Sequence, residues 1–122
     1  HCDYVCGVLP STPETKQLIN RRTIERMKDG LVLINVGRGD LIVEQDVIDA
    51  LQSGKIAGAA LDVFEQEPLD DQNPLWNLDN VFITPHASAR TPMYIRRSLD
   101  IFYRNYELFQ QGQYEQMMNR IS

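Results

Sequence analysis

The run Leu31–Val36 (LVLINV) narrows what this chain can fold into more than any other feature. It is short, nearly continuous in apolar residues, and bounded by Asp29-Gly30 on one side and Gly37-Arg38-Gly39 on the other. Such a run reads as a strand buried on both faces, the mark of a parallel sheet. Three more segments have the same character: Tyr4–Leu9, ended by Pro10, Ile56–Val63, and Val81–Thr84, ended by Pro85. Helical patterns lie between them. Ile24 and Met27 predict a short helix over Thr23–Lys28, and Val47, Ile48 and Leu51 form one stripe over Val43–Ser53, with Gly54 as the stop. Ser11 or Thr12 is a candidate cap for a helical turn over Thr15–Ile19, and Glu65–Leu78 is a polar, proline-containing loop that holds Trp76. Alternation of strand and helix predicts an α/β fold around a parallel sheet. From Thr91-Pro92 to about Gln111 an amphipathic helix is expected, with Ile95, Leu99, Phe102, Tyr106 and Phe109 on one face. The polar tail Gly112–Ser122 is expected to wrap back or fray.

At 122 residues the chain suffices for one modest domain with a core. Its formal charge is −5 and its basic clusters are short and flanked by acids, which argues against nucleic acid and anionic membranes as partners. No stretch approaches the roughly 20 apolar residues of a membrane span, and no signal peptide is visible, so a cytoplasmic location is expected. Cys2 and Cys6 are spaced too widely on an extended segment to bridge, and they are expected as buried or partly buried free thiols. No metal site is expected, because His1 and His86 are far apart in sequence and no further soft ligands accompany the cysteines.

Chemistry concentrates at the strand ends, where ligands bind in open α/β sheets. Arg38 sits between two glycines that allow a sharp turn and close approach of the backbone to a ligand. Its fork could grip a carboxylate through two hydrogen bonds and polarise an adjacent ketone; the alternative is a capping or surface arginine. Glu67, before Pro68, is either a loop carboxylate like Glu65 or a partner for a base. Asp62 ends an apolar strand, where a carboxylate is costly unless paired, so it is a structural anchor or a contact to a polar ligand such as an amide. His86 is either structural or a proton shuttle near neutral pH. Parallel strands bring their ends together, so Glu67 could bond the His86 imidazole and fix its tautomer.

The string INVGRGDLIVEQDVIDALQSGKIAGAALDVFEQEPL, followed by NVFITPHASA, closely resembles the signature segment of the D-isomer-specific 2-hydroxyacid dehydrogenases, and LPSTPETKQLIN resembles the stretch just upstream in that family. The resemblance covers Tyr4 to about Gln111. It implies an oxidoreductase that moves a hydride between NAD or NADP and a small D-2-hydroxy or 2-keto acid, of glyoxylate/hydroxypyruvate reductase or phosphoglycerate dehydrogenase type. Within it Arg38 is the substrate-binding arginine, His86 the acid/base and Glu67 its partner. On the cofactor side it implies Leu9, Pro10 and Thr15 toward the adenosine and phosphates, Val36, Gly37 and Arg38 toward the nicotinamide, Asp62 on the carboxamide, and His86 and Ala87 beside the ring. The formate-oxidising branch has glutamine at the position of Glu67, which disfavours that branch. The ASAR stretch after His86 departs from the commoner IGG or IGS of the family but keeps small residues.

No GxGxxG loop occurs in these residues, whereas the family carries that loop upstream. The expectation is therefore a piece of a longer protein. Residues 1–90 would form part of a Rossmann-type, doubly wound nucleotide-binding domain, and 91–122 a helix and tail returning to a substrate domain absent from the chain. Such a piece would expose its edge strand and an apolar helix face, and a homodimer is the family expectation for the full-length protein. The rival reading is a binding protein of co-repressor type that keeps the fold and uses NAD as a signal; no partner-binding stripe and no long disordered extension favour it.

Overall fold

Chain order and spatial order coincide in the sheet. In the computed structural model, which describes residues 1–120, strands β1 (Tyr4–Gly7), β2 (Leu31–Asn35), β3 (Ile56–Leu61) and β4 (Val81–Ile83) pair in parallel in that sequence. Parallel crossovers are right-handed, so a sheet extended in one direction receives its connecting helices on one face. Helices α1 (Arg21–Glu25) and α2 (Glu44–Gln52) accordingly pack on each other, and α2 packs on β3. This corrects one expectation. Leu31, Leu33 and Asn35 of β2 are buried, but the alternating Val32 and Ile34 are only half-buried, because the helices of this unit cover one face of the sheet. The fold class is nevertheless the expected one, half of a Rossmann-type parallel sheet.

Leu31, Leu33, Ile42, Val47, Ile48, Leu51, Ile56 and Leu61 form the centre of the core between sheet and helices. All three residues of the predicted α2 stripe are in it. Apolar burial at about 25 cal/mol per Å² is what holds the sheet to its helices.

Boundaries shift where capping and proline decide them. β1 ends at Gly7 rather than Leu9: the Val36 N–H donates to Gly7 O, and beyond that bond the chain runs toward Pro10, which has no N–H to give. α1 begins at Arg21, earlier than Thr23, because Asn20 caps it. The Asn20 side chain accepts the Thr23 N–H and the Thr23 hydroxyl accepts the Asn20 N–H, a reciprocal capping box. The residues expected to cap upstream do other work: Thr12 closes a turn with Thr15, and the Ser11 hydroxyl donates to Asp40. Cys2 and Cys6 are free but exposed, not buried. β1 is an edge strand whose Val5 packs against the core, so Tyr4 and Cys6 alternate to the opposite face.

Residues 89–120 belong to a second compact unit. Helix α3 (Tyr94–Gln110) carries the predicted amphipathic pattern, yet none of its residues is buried. The start falls after Pro92 rather than at it, with the Tyr94 N–H donating to Thr91 O. The tail turns back: Asn105 donates to Met118 O (2.9 Å) and accepts the Met118 N–H (2.8 Å). The last two positions of the expected tail, 121 and 122, lie outside the described residues. No helix among the described residues is long and apolar enough to cross a membrane.

Candidate active site

The site is built on the carboxyl ends of the strands. At the exit of β2, Asn35 is fully buried inside an otherwise apolar strand. Its amide donates to Arg38 O (3.0 Å) and its carbonyl accepts the Gly37 N–H (3.2 Å), so one buried side chain shapes the turn that carries Arg38. Both flanking glycines are dictated by close packing. A Cβ on Gly37 would lie 2.9 Å from Leu9 O, and one on Gly39 would lie 1.8 Å from Phe64 O. The turn is thereby pressed between the exits of β1 and β3, and the Arg38 side chain is left exposed, with Nη1 donating to Gly37 O (2.8 Å).

At the exit of β3, Asp62 is only 2% exposed. It accepts hydrogen bonds from the Thr84 hydroxyl (2.5 Å), the Ala87 N–H (2.8 Å) and the Ser88 N–H (2.9 Å). Burial pushes its carboxyl upward, but these donors outweigh burial and hold it well below the usual carboxylate range. The segment leaving β4 is thus tied to β3 through one charged group.

His86 lies on that tied segment. Its backbone is left-handed, with φ of 51°, and its N–H donates to Asp62 O (2.9 Å) and Thr84 O (3.1 Å). Few non-glycine residues adopt this conformation, and histidine is among those enriched there. The turn directs Nδ1 onto Glu67 Oε2 at 2.7 Å, while Glu67 Oε1 accepts the Phe64 N–H at 3.1 Å. Partial burial raises the Glu67 carboxyl, and the Asp62 charge does so too. The His86 imidazole and the Phe64 N–H more than offset this and lower it below its ordinary value. An ionised carboxylate only accepts, so the hydrogen of this bond belongs to Nδ1 and the second ring nitrogen stays available.

Arg38, Glu67 and His86 line one cleft of about 320 Å³, together with Ser11, Asp40 and Glu65. Next to it is a hollow of about 350 Å³ walled by Phe64, Leu69, Trp76, Ile83 and Pro85, and Glu67 and His86 border both. A guanidinium, a carboxylate–imidazole pair and an apolar wall on one sheet edge can hold a small anion and move one proton beside it.

The other expected residues lie elsewhere along the same edge. Leu9 is exposed and borders a separate depression with Val5, Leu18 and Met27. Pro10 offers its carbonyl to the Thr15 hydroxyl (2.7 Å), which makes Thr15 a tie within its own turn. Val36 is half-buried beside the buried Gly37, and Ala87 serves Asp62 through its N–H. Sequence reasoning missed Asn35 and Thr84. The signal for Asn35 was present: a lone amide inside LVLINV is costly unless its donors and acceptor are all used. No local signal marks Thr84, whose hydroxyl matters because of a residue in another strand.

Residues 1–88 match the family model described as "D-isomer specific 2-hydroxyacid dehydrogenase, NAD binding domain". The chain is 44% identical over 118 residues to a hydroxypyruvate reductase of Blautia hydrogenotrophica, covering 97% of this chain and 37% of that protein. It is 47% identical over 119 residues to an uncharacterised protein of Corynebacterium melassecola, covering 98% of this chain and 38% of that one. Among solved structures it is similar to a D-isomer specific 2-hydroxyacid dehydrogenase of Xanthobacter autotrophicus Py2 in complex with NADPH and MES. That match has a TM-score of 0.89 at 38% identity and covers 98% of this chain and 48% of the other. It also resembles an NADPH-dependent glyoxylate/hydroxypyruvate reductase of Sinorhizobium meliloti in complex with NADP and sulfate, with a TM-score of 0.83 at 35% identity over 90% of this chain and 36% of that one. The chain therefore spans less than two-fifths of the curated relatives it matches. With its parallel half-sheet and its motifs matched across residues 1–88, the chain belongs to the NAD-binding domain family of the D-isomer specific 2-hydroxyacid dehydrogenases.

Proposed function

We propose that this chain supplies the acid–base pair and the substrate-gripping arginine of an NAD(P)-dependent reductase for small 2-keto acids, acting in reverse on D-2-hydroxy acids. The observation that carries the reading is the 2.7 Å bond between His86 Nδ1 and Glu67, in a cleft that Arg38 also lines. A hydroxypyruvate reductase and a glyoxylate/hydroxypyruvate reductase among its relatives support hydroxypyruvate and glyoxylate as the substrate class.

The residues fit one end of the cofactor. Exposed Leu9 and Pro10 and half-buried Val36 follow β1 and β2 at the carboxyl edge of the sheet, and an apolar edge of this kind suits the flat face of a ring. Asp62 has both carboxylate oxygens engaged by Thr84, Ala87 and Ser88, so its help to a bound carboxamide is chiefly to hold Ala87 and His86 where the ring would lie. The pyrophosphate would need a glycine-rich turn that these residues do not include. When bound, the nicotinamide supplies or accepts the hydride at its C4.

The chain's own part follows from its chemistry. Arg38 pairs with the substrate carboxylate and orients the neighbouring keto carbon. His86, protonated on both nitrogens, gives the proton of its second ring nitrogen to the keto oxygen as hydride reaches C2. Glu67, ionised and bonded to Nδ1, stabilises the imidazolium before transfer and holds the ring in one tautomer afterwards. In the oxidative direction the neutral imidazole takes the proton from the hydroxyl. The same proposal has the natural-length protein working as a homodimer in the cytoplasm, with neither nucleic acid nor membrane as partner. Acidic net charge and the lack of a basic stripe argue against nucleic acid and anionic membrane.

The test is steady-state reduction of glyoxylate and hydroxypyruvate by the natural-length protein with NADH and with NADPH. His86→Ala should lower kcat by roughly 10²–10⁴-fold. Arg38→Ala should act mainly on KM for the keto acid, with a smaller loss in kcat. Wild-type turnover in the His86 variant sinks the mechanism.

A further inference from the structure

Glu65 stands two positions before Glu67 and lines the Arg38 cleft without bonding to His86. Its carboxylate reaches across to the start of α2, where Oε1 accepts the N–H of Glu44 at 2.8 Å. The N-cap of α2, Val43, has no side chain able to cap, so Glu65 satisfies from another segment one of the first-turn donors that every helix leaves open. The exchange is reciprocal. Glu44 Oε2 accepts the Glu65 N–H at 3.4 Å, and Glu44 Oε1 accepts the side-chain N–H of Asn73 at 2.6 Å, farther along the same loop. Both carboxylates also gain from lying at the positive end of the α2 dipole.

The consequence for the site lies in what is attached to this seam. Phe64, immediately before Glu65, is buried and gives its N–H to Glu67 Oε1, which leaves Oε2 for the imidazole. The Phe64 carbonyl and the Glu65 nitrogen are also the atoms that a Cβ on Gly39 would strike, at 1.8 Å and 2.8 Å. The main chain at 64–65 is therefore wedged between the Arg38 turn and α2, and it aims Glu67 from there. Aspartates and glutamates in a loop are ordinarily solvated and unconstrained; here one holds the loop to a helix belonging to the core.

We propose that Glu65 is a positioning residue, which with Glu44 locks the 64–73 loop onto the N-terminus of α2 and so sets the reach of Glu67 to His86. The inference rests on the reading of Glu67 and His86 given above and adds a residue that acts through Glu67 rather than on the reacting atoms. What Glu65 contributes is an acceptor oxygen at a fixed place, not its charge as such. Small displacements of a catalytic pair cost turnover far more than binding.

The experiment measures kcat and KM of the natural-length protein, with thermal melts to establish folding. Glu65→Ala should lower kcat roughly 10- to 100-fold, with KM for the keto acid within about twofold of wild type. Glu65→Gln keeps an oxygen able to accept the Glu44 N–H and should restore kcat to within about threefold of wild type. Glu44→Ala removes the opposite half of the seam and should repeat the loss; it carries the test if Glu65→Ala does not fold. A folded Glu65→Ala with normal kcat overturns the inference, as does an equal loss in Glu65→Gln or full activity in Glu44→Ala. If His86→Ala is inactive while these variants are not, only the role of Glu65 falls; if His86→Ala keeps its turnover, the functional reading falls first.

Discussion

Asp62 and Glu67 both leave the end of β3 and both reach the segment that follows β4, but they do so in opposite surroundings. Asp62 is buried and accepts three hydrogen bonds from Thr84, Ala87 and Ser88. Glu67 keeps 36% of its side chain exposed and bonds one imidazole and one N–H. Each carboxyl is held below its ordinary value, and in each case hydrogen bonding overcomes burial. The difference teaches a division of labour. A carboxylate saturated by backbone donors and a hydroxyl builds the turn; a half-exposed carboxylate facing a titratable ring is free to support a proton transfer. The first should matter to folding, the second to turnover.

The largest effect that could break this division is on stability at Asp62. Asp62→Ala leaves the Thr84 hydroxyl and two N–H groups without their acceptor in a part-buried place, which should cost about 1–3 kcal/mol in the natural-length protein. Chemical denaturation read by far-UV circular dichroism checks it. A loss below about 1 kcal/mol would show that the turn holds without its charge.

A subtler effect sits in the acid range. A carboxyl whose value is lowered on folding stabilises the native state above its unfolded value, and that contribution disappears as pH falls through the folded one. For Asp62 the unfolded value is near 3.8, so its contribution should be intact at neutral pH and begin to fade only below that. Denaturation midpoints of wild type and Asp62→Asn should run parallel near neutrality and converge under acid. Convergence already near neutral pH would contradict the saturated-acceptor picture.

The same contrast explains how much could be read in advance. The four strands, their parallel pairing and the α2 stripe were legible because each follows from local pattern: apolar runs broken by glycine or proline, and helical spacing. Arg38, Glu67 and His86 stood out by following strands, but local pattern left their roles open and only the family resemblance gave them roles. Asp62 was legible only as an anomaly, since a carboxylate ending an apolar strand announces a partner without naming it. Its partners Thr84, Ala87 and Ser88 come from the next strand's exit, and Glu65 finds Glu44 across the sheet's edge; pairings between distant segments leave no trace in either segment alone. The half-covered sheet was misjudged for a related reason. Apolar runs report what a strand can bury, whereas the direction in which successive strands are added decides which face the chain's own helices cover.

The smallest predicted effect is the sharpest discriminator. Glu67→Gln keeps the size of the side chain and one acceptor oxygen, enough for the Phe64 N–H or for His86 Nδ1 but not both, and it removes the charge that favours imidazolium. Exposed ion pairs contribute little, because solvent screens them and holding the side chains costs entropy, so stability should change by no more than about 0.5 kcal/mol near neutral pH. Turnover of the same variant should nevertheless fall well below wild type, because the charge acts when the ring is protonated and about to transfer its proton. A Glu67→Gln protein that melts much earlier while turning over normally would reverse the roles assigned to the two carboxylates. Equal melting with reduced kcat would leave Asp62 as the builder of the turn and Glu67 as the group that works on the imidazole.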